Sequence, residues 1–288
     1  MTQLSFSLTD FWDAVCGFGC ASLGLACNDE RGETKVQNYP QPLQGAVFTG
    51  TYSAVLKAVQ AFPGKASVRA GILLFGNAGG ENRFLRELQQ VISCPIVGGG
   101  AAIDGLTGRK GLITGGGEAA LFFITDDRYT YEAKTQCIHS RILGSCTLEL
   151  EDARTVKTIN GMDGVAFWRE QQRLCGLKDT DFEHMTLSDL DNVNAHLSVT
   201  DGKLRSGRDL TETMLLRCVD QETVYPTMRE FYADPEAIVF GCAGLSGLLD
   251  RPLATDSLGL FLFGEVCHTA GKSEFGNLML SKLVIKPR

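Results

Sequence analysis

The hydrophobic pattern in the first half of the chain predicts a strand, a helix and a second strand in succession. The stretches RAGILLFG (69–76) and CPIVGGG (94–100) are short apolar runs typical of buried strands. Between them, ENRFLRELQQVI (81–92) has the spacing of an amphipathic helix. YSAVLKAVQAF (52–62) has the same spacing and ends at a Pro-Gly pair. Capping-type residues predict one more helix around residues 9 to 20.

The second half of the chain shows a similar mixture. A strand, an Asn-Gly turn and a helix are predicted within residues 146–172, and Asp201-Gly202 separates two strand-like runs. Residues 223–233 are helix-like. Three strongly apolar segments close the chain, and we predict them to be central strands of one sheet: AIVFGCAG, LGLFLFGEVC and NLMLSKLVI.

Chain length and pattern together predict the architecture. With 288 residues and 44% hydrophobic content, the chain can bury one large core or two smaller ones. The pattern restarts near residue 156, so we expect a first lobe at 1–155 and a second at 156–288. The predicted fold class is α+β, two-lobed, with mixed or antiparallel sheets covered by helices.

Charge and cysteine spacing argue against several classes of protein. A net charge of -7 without clustered Lys and Arg argues against a nucleic-acid partner. Apolar stretches are interrupted before a membrane-spanning length and no signal-peptide pattern is present, so we expect a cytoplasmic protein with no membrane partner. The ten cysteines are scattered, which predicts reduced thiols, no metal site and no cofactor.

The glycine run Gly98, Gly99 and Gly100 follows a strand directly, where bare backbone can approach an anion. The run does not match a nucleotide-binding loop. A dinucleotide fingerprint would need glycine at Ile103, and a phosphate loop would need Lys-Ser/Thr at Leu106-Thr107. Two interpretations stay open: a tight turn beside a crowded strand, and a glycine-lined pocket wall for a small ligand.

Three side chains in the second half are candidates for chemistry. Cys242 ends an apolar strand and is either a nucleophile that needs a base or a buried structural cysteine. Glu265 lies inside an apolar run, where a carboxylate is costly unless it is paired or faces a cavity. Asn277 follows a loop. For Glu265 and Asn277 a structural hydrogen bond and a ligand contact are both open.

Taken in order, several segments resemble a FIST protein, the family named for F-box and intracellular signal transduction. The similarity covers nearly the whole chain through ILLFG, IVGGGAAIDG, TINGMDGVAFW, VFGCAG, LGLFLFGEVC and FGNLMLS. The resemblance implies a stand-alone sensory module that binds a small ligand, with amino acids among the candidates, and that acts with a signalling protein. It also implies three ligand contacts: Cys242, the arginine that follows it (Arg251) and Asn277.

We expect the ligand to lie in a cleft between the two lobes. The predicted lining is Gly98, Gly99, Gly100 and Asp104 from the first lobe, facing Glu265, His268 and Asn277 from the second. Glycine N–H groups would bind a carboxylate, and Glu265 would bind an ammonium group. Two alternatives stay open: a cysteine-dependent amide or ester hydrolase that uses Cys242 or Cys267, and a non-catalytic scaffold or adaptor. The sequence does not favour an enzyme, because no spacing links a histidine to either thiol.

Overall fold

Three β-sheets and four α-helices build the described part of the protein. The computed structural model describes residues 5–7, 43–76, 79–101, 116–178, 181–251, 253 and 258–288. The helix predicted at residues 9 to 20 lies outside this part of the chain. No helix among the described residues has the length and apolar character needed to cross a membrane.

The first sheet has seven strands and mixed directions. In spatial order its strands are β1 (Ser5–Ser7), β2 (Gln44–Thr51), β5 (Glu118–Ile124), β3 (Ala70–Gly76), β4 (Ile96–Ala101), β17 (Glu265–Thr269) and β18 (Lys272–Gly276). Only β3 and β4 run parallel, and all other neighbours are antiparallel. The parallel pair is the predicted strand–helix–strand unit, because helix α2 (Glu81–Val91) connects its strands.

Helices α1 (Tyr52–Gln60) and α2 cover one face of this sheet. The Thr51 side chain caps α1 by accepting a hydrogen bond from the Ala54 N–H. The helices bury Val55, Val59, Phe84 and Leu88 against Phe75 and Phe123 of the sheet. The alternate strand residues, which include Ile72 and Phe122, pack into a different core on the opposite face.

The second sheet has four strands and shares that core. Its order is β16 (Leu258–Leu262), β15 (Ala237–Cys242), β19 (Met279–Pro287) and β6 (Tyr129–Cys137). Strands β15 and β16 are parallel, and the others pair antiparallel. Helix α4 (Gln221–Tyr232) contributes Val224 and Met228 to the same core.

The third sheet is antiparallel throughout and has eight strands. Seven lie in the order β11 (Asn194–Ala195), β10 (Met185–Ser188), β14 (Thr213–Cys218), β7 (Arg141–Asp152), β8 (Thr155–Ile159), β13 (Lys203–Ser206) and β12 (Leu197–Thr200), and β9 (Met162–Asp163) pairs with β8. Asp201 and Gly202 form the predicted turn between β12 and β13, both with positive φ. Helix α3 (Gly164–Leu174) packs on this sheet through Trp168.

The α+β class with mixed and antiparallel sheets is confirmed, but the sheets do not follow the predicted division at residue 155. That position falls inside β8, which is paired with β7. Strands from the end of the chain also join strands from its first half: β17 pairs with β4, and β19 pairs with β6. The pattern restart near residue 156 therefore marks a hairpin rather than a change of sheet.

The three apolar segments at the end of the chain do not all lie in one sheet. Strands β15, β16 and β19 are neighbours as predicted, but the segment LGLFLFGEVC is divided. Gly264, with φ of 102°, separates β16 from β17, and β17 belongs to the seven-stranded sheet. A glycine in this backbone region lets the chain pass from one sheet to the other.

Candidate functional site

Glu265 and Cys242 meet in the interior. The Glu265 side chain is fully buried, and its Oε2 accepts a hydrogen bond from the Met279 N–H at 3.0 Å. No N–H or O–H group of the described residues donates to its Oε1, and the Cys242 thiol lies against the carboxyl group. Burial raises the pKa of Glu265 well above its ordinary value and so favours the neutral acid over the carboxylate.

Neither thiol proposed as a nucleophile is activated. Burial makes the largest contribution to the raised pKa of Cys242, and the nearby Glu265 carboxyl group raises this pKa further. Burial also raises the pKa of Cys267. Both side chains are therefore protonated thiols at neutral pH, and a thiol is a much weaker nucleophile than a thiolate.

The glycine run lies inside β4 rather than in a turn. A Cβ atom at Gly98 would come within 1.9 Å of the Leu73 oxygen, and one at Gly99 within 2.3 Å of the Gly264 oxygen. The Gly100 N–H donates to the same Gly264 oxygen at 2.9 Å. These glycines let strands approach closely on both sides, and the Gly100 N–H is used within the sheet instead of binding a ligand.

The other predicted ligand contacts are spread over the molecule. Asn277 is buried, and its Oδ1 lies 3.4 Å from the His196 N–H that donates to it. His268 lines a separate cavity of about 210 Å³, where its Nδ1 is 2.8 Å from the Ser273 Oγ. Arg251 is exposed and stacks on the Tyr225 ring at 3.8 Å from its centroid.

Asp104 lies outside the described residues. Of the predicted set, the structure thus brings Cys242, Glu265 and the three glycines close together at the junction of β4, β15 and β17, with Asn277 beside Gly264. His268 and Arg251 lie elsewhere.

A second polar cluster, which the sequence did not indicate, lies between the sheets. Asn194 donates from Nδ2 to the Leu278 carbonyl at 3.2 Å, and the same Nδ2 is 3.2 Å from His139 Nδ1. His139 Nε2 is 2.8 Å from the Glu183 carbonyl, which can only accept. The His139 proton is therefore on Nε2, and Nδ1 accepts from Asn194. Burial lowers the pKa of His139 to about 4, so the ring is neutral.

The backbone at this cluster is held in an uncommon conformation. Leu278 has φ of 55°, which side chains other than glycine rarely adopt. The two backbone groups that flank this position are both fixed by side chains: Asn194 binds the Leu278 carbonyl, and Glu265 binds the Met279 N–H. The cluster thus joins the eight-stranded sheet to the start of β19.

Arg217 is the buried cation of this cluster. Its side chain is on β14 and the residue is 8% exposed. Nη1 donates to the His139 carbonyl at 3.3 Å and Nη2 to the Asn192 Oδ1, whereas Nε has no hydrogen-bond partner in the described ranges of the chain. No carboxylate of the described residues forms an ion pair with it. By contrast, Arg208, which is also buried, is paired with Asp189 at 2.8 Å.

Arg217 lines a cavity of about 490 Å³ at the junction of the three sheets. The polar side chains around it are Thr135, Gln136 and Cys137 of β6, Asp191 and Asn192 after β10, and Thr269 at the end of β17. One cation, one anion and several neutral hydrogen-bonding groups therefore face the same space. The volume falls in the range of known small-molecule sites.

The sequence contains a signal for Arg217 that resembles the one for Glu265. Arg217 interrupts the apolar run MLLRCV just as Glu265 interrupts its own strand. The partners of Arg217 come from segments distant in sequence, so only the fold reveals that none of the carboxylates in the described part of the chain pairs with it. The described residues contain no group of three or more His, Cys, Asp and Glu side chains that could hold a metal ion.

Comparison with protein-family models gives no match for this chain, and comparison with curated proteins finds no significantly similar sequence.

Proposed function

We propose that this protein binds a small zwitterionic metabolite, an amino acid by preference, in the cavity lined by Arg217 and Asp191. The observation that carries the proposal is the buried guanidinium of Arg217, which has no carboxylate partner among the described residues. An uncompensated buried charge is costly, and an anionic ligand group would supply the missing counter-charge.

The rest of the cavity wall supports a zwitterion over a simple anion. Asp191 lines the same space and is exposed, so it can bind an ammonium group without first losing another partner in the interior. Thr135, Gln136 and Thr269 offer neutral donors and acceptors for the remainder of the ligand. Ligand sites between packed units are common because each unit can supply polar groups.

The sensory role implied by the FIST resemblance is part of this proposal. In that role the ligand would bridge all three sheets, since β6, β14 and the end of β17 each contribute to the cavity. Ligand binding would change how these sheets are held together, and a signalling protein would respond to that change.

Titration calorimetry with a panel of amino acids tests the proposal. We expect a binding amino acid to lose about 1–3 kcal/mol of binding free energy when its carboxylate is replaced by a carboxamide, and a similar amount with the Arg217→Met protein. Asp191→Asn should weaken the amino acid but leave its des-amino analogue unaffected. The matched control is Arg205→Met, at an exposed arginine of β13 outside the cavity.

The stability of the ligand-free proteins separates a binding role from a structural one. Without ligand, Arg217→Met should be as stable as the unmodified protein or more stable, because an apolar side chain replaces an unpaired buried charge. A large loss of stability with unchanged amino-acid affinity would show that Arg217 serves the fold alone and would reject the proposed site.

A further inference from the structure

Cys137 is a thiol in the wall of the Arg217 cavity. It is the last residue of β6, and its side chain is a half-buried free thiol. Thr135 and Gln136, which precede it on β6, line the same cavity, as do Arg217 and Asp191. A molecule that occupies this space is therefore next to a sulfur with which it can react.

Hydrogen bonds place the sulfur beside the guanidinium group of Arg217. The Cys137 Sγ lies 3.7 Å from the His139 carbonyl oxygen, and the Arg217 Nη1 donates to the same oxygen at 3.3 Å. The sulfur and Nη1 are therefore no farther apart than the sum of these two distances, 7.0 Å. A small molecule with a carboxylate bound to Arg217 would hold its next few atoms within reach of the sulfur.

The guanidinium group is able to bind such a carboxylate. Arg217 is 8% exposed, and its Nε is a buried donor for which the described part of the chain supplies no acceptor. Carboxylates bind guanidinium groups through two parallel N–H donors, which gives both affinity and a fixed orientation. The cavity thus combines a group that binds a carboxylate, an acidic group at Asp191 that binds an ammonium, and a thiol.

The surroundings of the sulfur oppose each other in their effect on its ionisation. Burial, the largest effect, raises the pKa of Cys137, whereas the hydrogen bond with Asn194 and the charge of Arg217 act against that rise. The Asn194 Nδ2 lies 3.4 Å from the sulfur as a donor, and it would also stabilise a thiolate there. Since the resulting pKa is still raised, the thiol reacts appreciably only with a reagent that is held beside it.

We propose that Cys137 is a covalent modification site for small disulfides with amino-acid ends, the class to which cystine and glutathione disulfide belong. The inference rests on the proposed function, because Arg217 and Asp191 would hold the amino-acid end. The Cys137 thiolate attacks the nearer sulfur of the disulfide, the S–S bond breaks, and the departing thiolate takes up the proton that Cys137 released. The Cys137 sulfur is oxidised, the departing sulfur is reduced, and the products are a mixed disulfide and one free small thiol.

The mixed disulfide would control the binding site. The attached group would occupy the cavity and exclude a free amino acid until another thiol attacks the mixed disulfide and releases it. Modification of Cys137 would thus connect amino-acid binding to the ratio of small disulfides to small thiols around the protein.

Two disulfides that differ only in their carboxylates test the inference. Cystine has a carboxylate and an ammonium group at each end, and cystamine lacks the carboxylates. After reaction of the intact protein and blocking of remaining thiols, mass spectrometry follows the tryptic peptide 135–141, which contains Cys137 as its one cysteine. We expect the ratio of the cystine rate to the cystamine rate to exceed that of the denatured chain by about tenfold or more. The thiolate fraction cancels in this ratio, because both reagents react with the same sulfur.

Variants and a second thiol provide the controls. Arg217→Met should lower the ratio to that of the denatured chain, and Arg217→Lys, which keeps the charge, should retain a preference for cystine. Cys94, in the tryptic peptide 87–109, is half-buried in the separate cavity of about 210 Å³, and none of the described residues that line it is an arginine or lysine. The inference is wrong if Cys94 prefers cystine as strongly as Cys137, or if the preference at Cys137 survives Arg217→Met.

Calorimetry separates this inference from the proposed function. An amino acid without sulfur needs only the cavity, so Cys137→Ser should bind it as the unmodified protein does. If such an amino acid binds but Cys137 shows no preference for cystine, the modification is rejected and the binding site stands. If Cys137 prefers cystine but no amino acid binds, the modification stands and amino-acid sensing is rejected.

Discussion

At the scale of single residues, Glu265 gives the stability of the protein a distinctive dependence on pH. Its pKa in the folded state is raised by burial, so above the unfolded value of about 4.5 the folded protein holds a proton that the unfolded chain releases. That contribution to stability is complete below the unfolded pKa and is lost as pH rises through the folded pKa. His139 and His196, whose pKa values burial lowers to about 4, act in the opposite direction below about pH 6.5.

The Glu265 contribution can be separated from the histidine contributions above pH 7, because both histidines are neutral there in the folded and in the unfolded protein. We expect the free energy of unfolding to fall with rising pH in this range, by at most about 1.4 kcal/mol per pH unit from Glu265. Glu265→Gln should remove the Glu265 share of that fall, since a glutamine does not titrate. A smaller fall should remain in both proteins, because burial also raises the pKa of thiols such as Cys242 and Cys267. Urea unfolding at several pH values between 7 and 9 gives the slope of the unfolding free energy against pH for the unmodified protein and for Glu265→Gln. Equal slopes in the two proteins would contradict the assignment of a neutral buried acid.

Residue-scale features were only partly predictable from the sequence. Glu265 and Arg217 both interrupt apolar runs, so their burial could be inferred from neighbours in sequence. Whether such a charge has a partner depends on segments far away: Met279 for Glu265, and Asn192 and His139 for Arg217. The hydrophobic pattern of the sequence does not show which distant residues lie beside a buried charge. It therefore could not predict that Glu265 is protonated or that Arg217 keeps its charge.

At the scale of elements, β4 depends on having glycine where it contacts two neighbours. Gly98 has φ of 136°, and a Cβ there would lie 1.9 Å from the Leu73 oxygen. Gly98→Ala should therefore force β3 and β4 apart and lower the free energy of unfolding by about 3 kcal/mol or more. Gly144→Ala on β7 is the matched control, because nothing lies within 4 Å of its added methyl group.

Chemical unfolding of the two glycine variants measures this difference. The control should stay within about 0.5 kcal/mol of the unmodified protein, as is usual for surface substitutions. If Gly98→Ala is equally mild, then β4 accommodates a side chain and the glycine run is available for some other purpose, such as the ligand contact that the sequence predicted.

Most helices and strands were predictable because the spacing of their apolar residues matches the faces that are buried in the structure. The apolar faces of α1 and α2, and the fully buried β3, have the periodicity of their structure. The division of LGLFLFGEVC between two sheets was missed, since apolar residues continue across Gly264 and no polar residue marks the change. The glycine run was predicted only in part: CPIVGGG was predicted as a strand and forms β4, but its glycines were also interpreted as a turn or a pocket wall. A strand and a turn both accept glycine, and only neighbouring strands decide between them.

At the scale of the whole molecule, Arg154 connects two of the sheets. It lies in the turn between β7 and β8, and its guanidinium group binds Glu81 of α2 at 2.5 Å and Asp209 at 2.8 Å. The Glu81 side chain is fully buried, so removal of the arginine takes a cation away from a buried carboxylate. We expect Arg154→Met to lower the free energy of unfolding by about 2–3 kcal/mol, less than for a fully buried pair because Arg154 is partly exposed.

The comparison for Arg154 is Arg173→Met, which removes an exposed pair with Glu170 and should cost less than about 1 kcal/mol. Both proteins should still unfold in a single transition, since β17 and β19 each join strands from the first half of the chain. Two separate transitions in the Arg154 variant would instead support lobes that fold independently.

The pairing of β17 with β4 also bears on how the protein is made. The seven-stranded sheet takes its first strands from the beginning of the chain and its last two from residues 265–276. During synthesis on the ribosome, the edge of β4 has no partner in β17 until residues 265–269 have emerged, and an open edge can pair with another nascent chain. Contacts so distant in sequence also slow folding. That edge is therefore the place where a chaperone would protect the nascent chain until β17 has been synthesised.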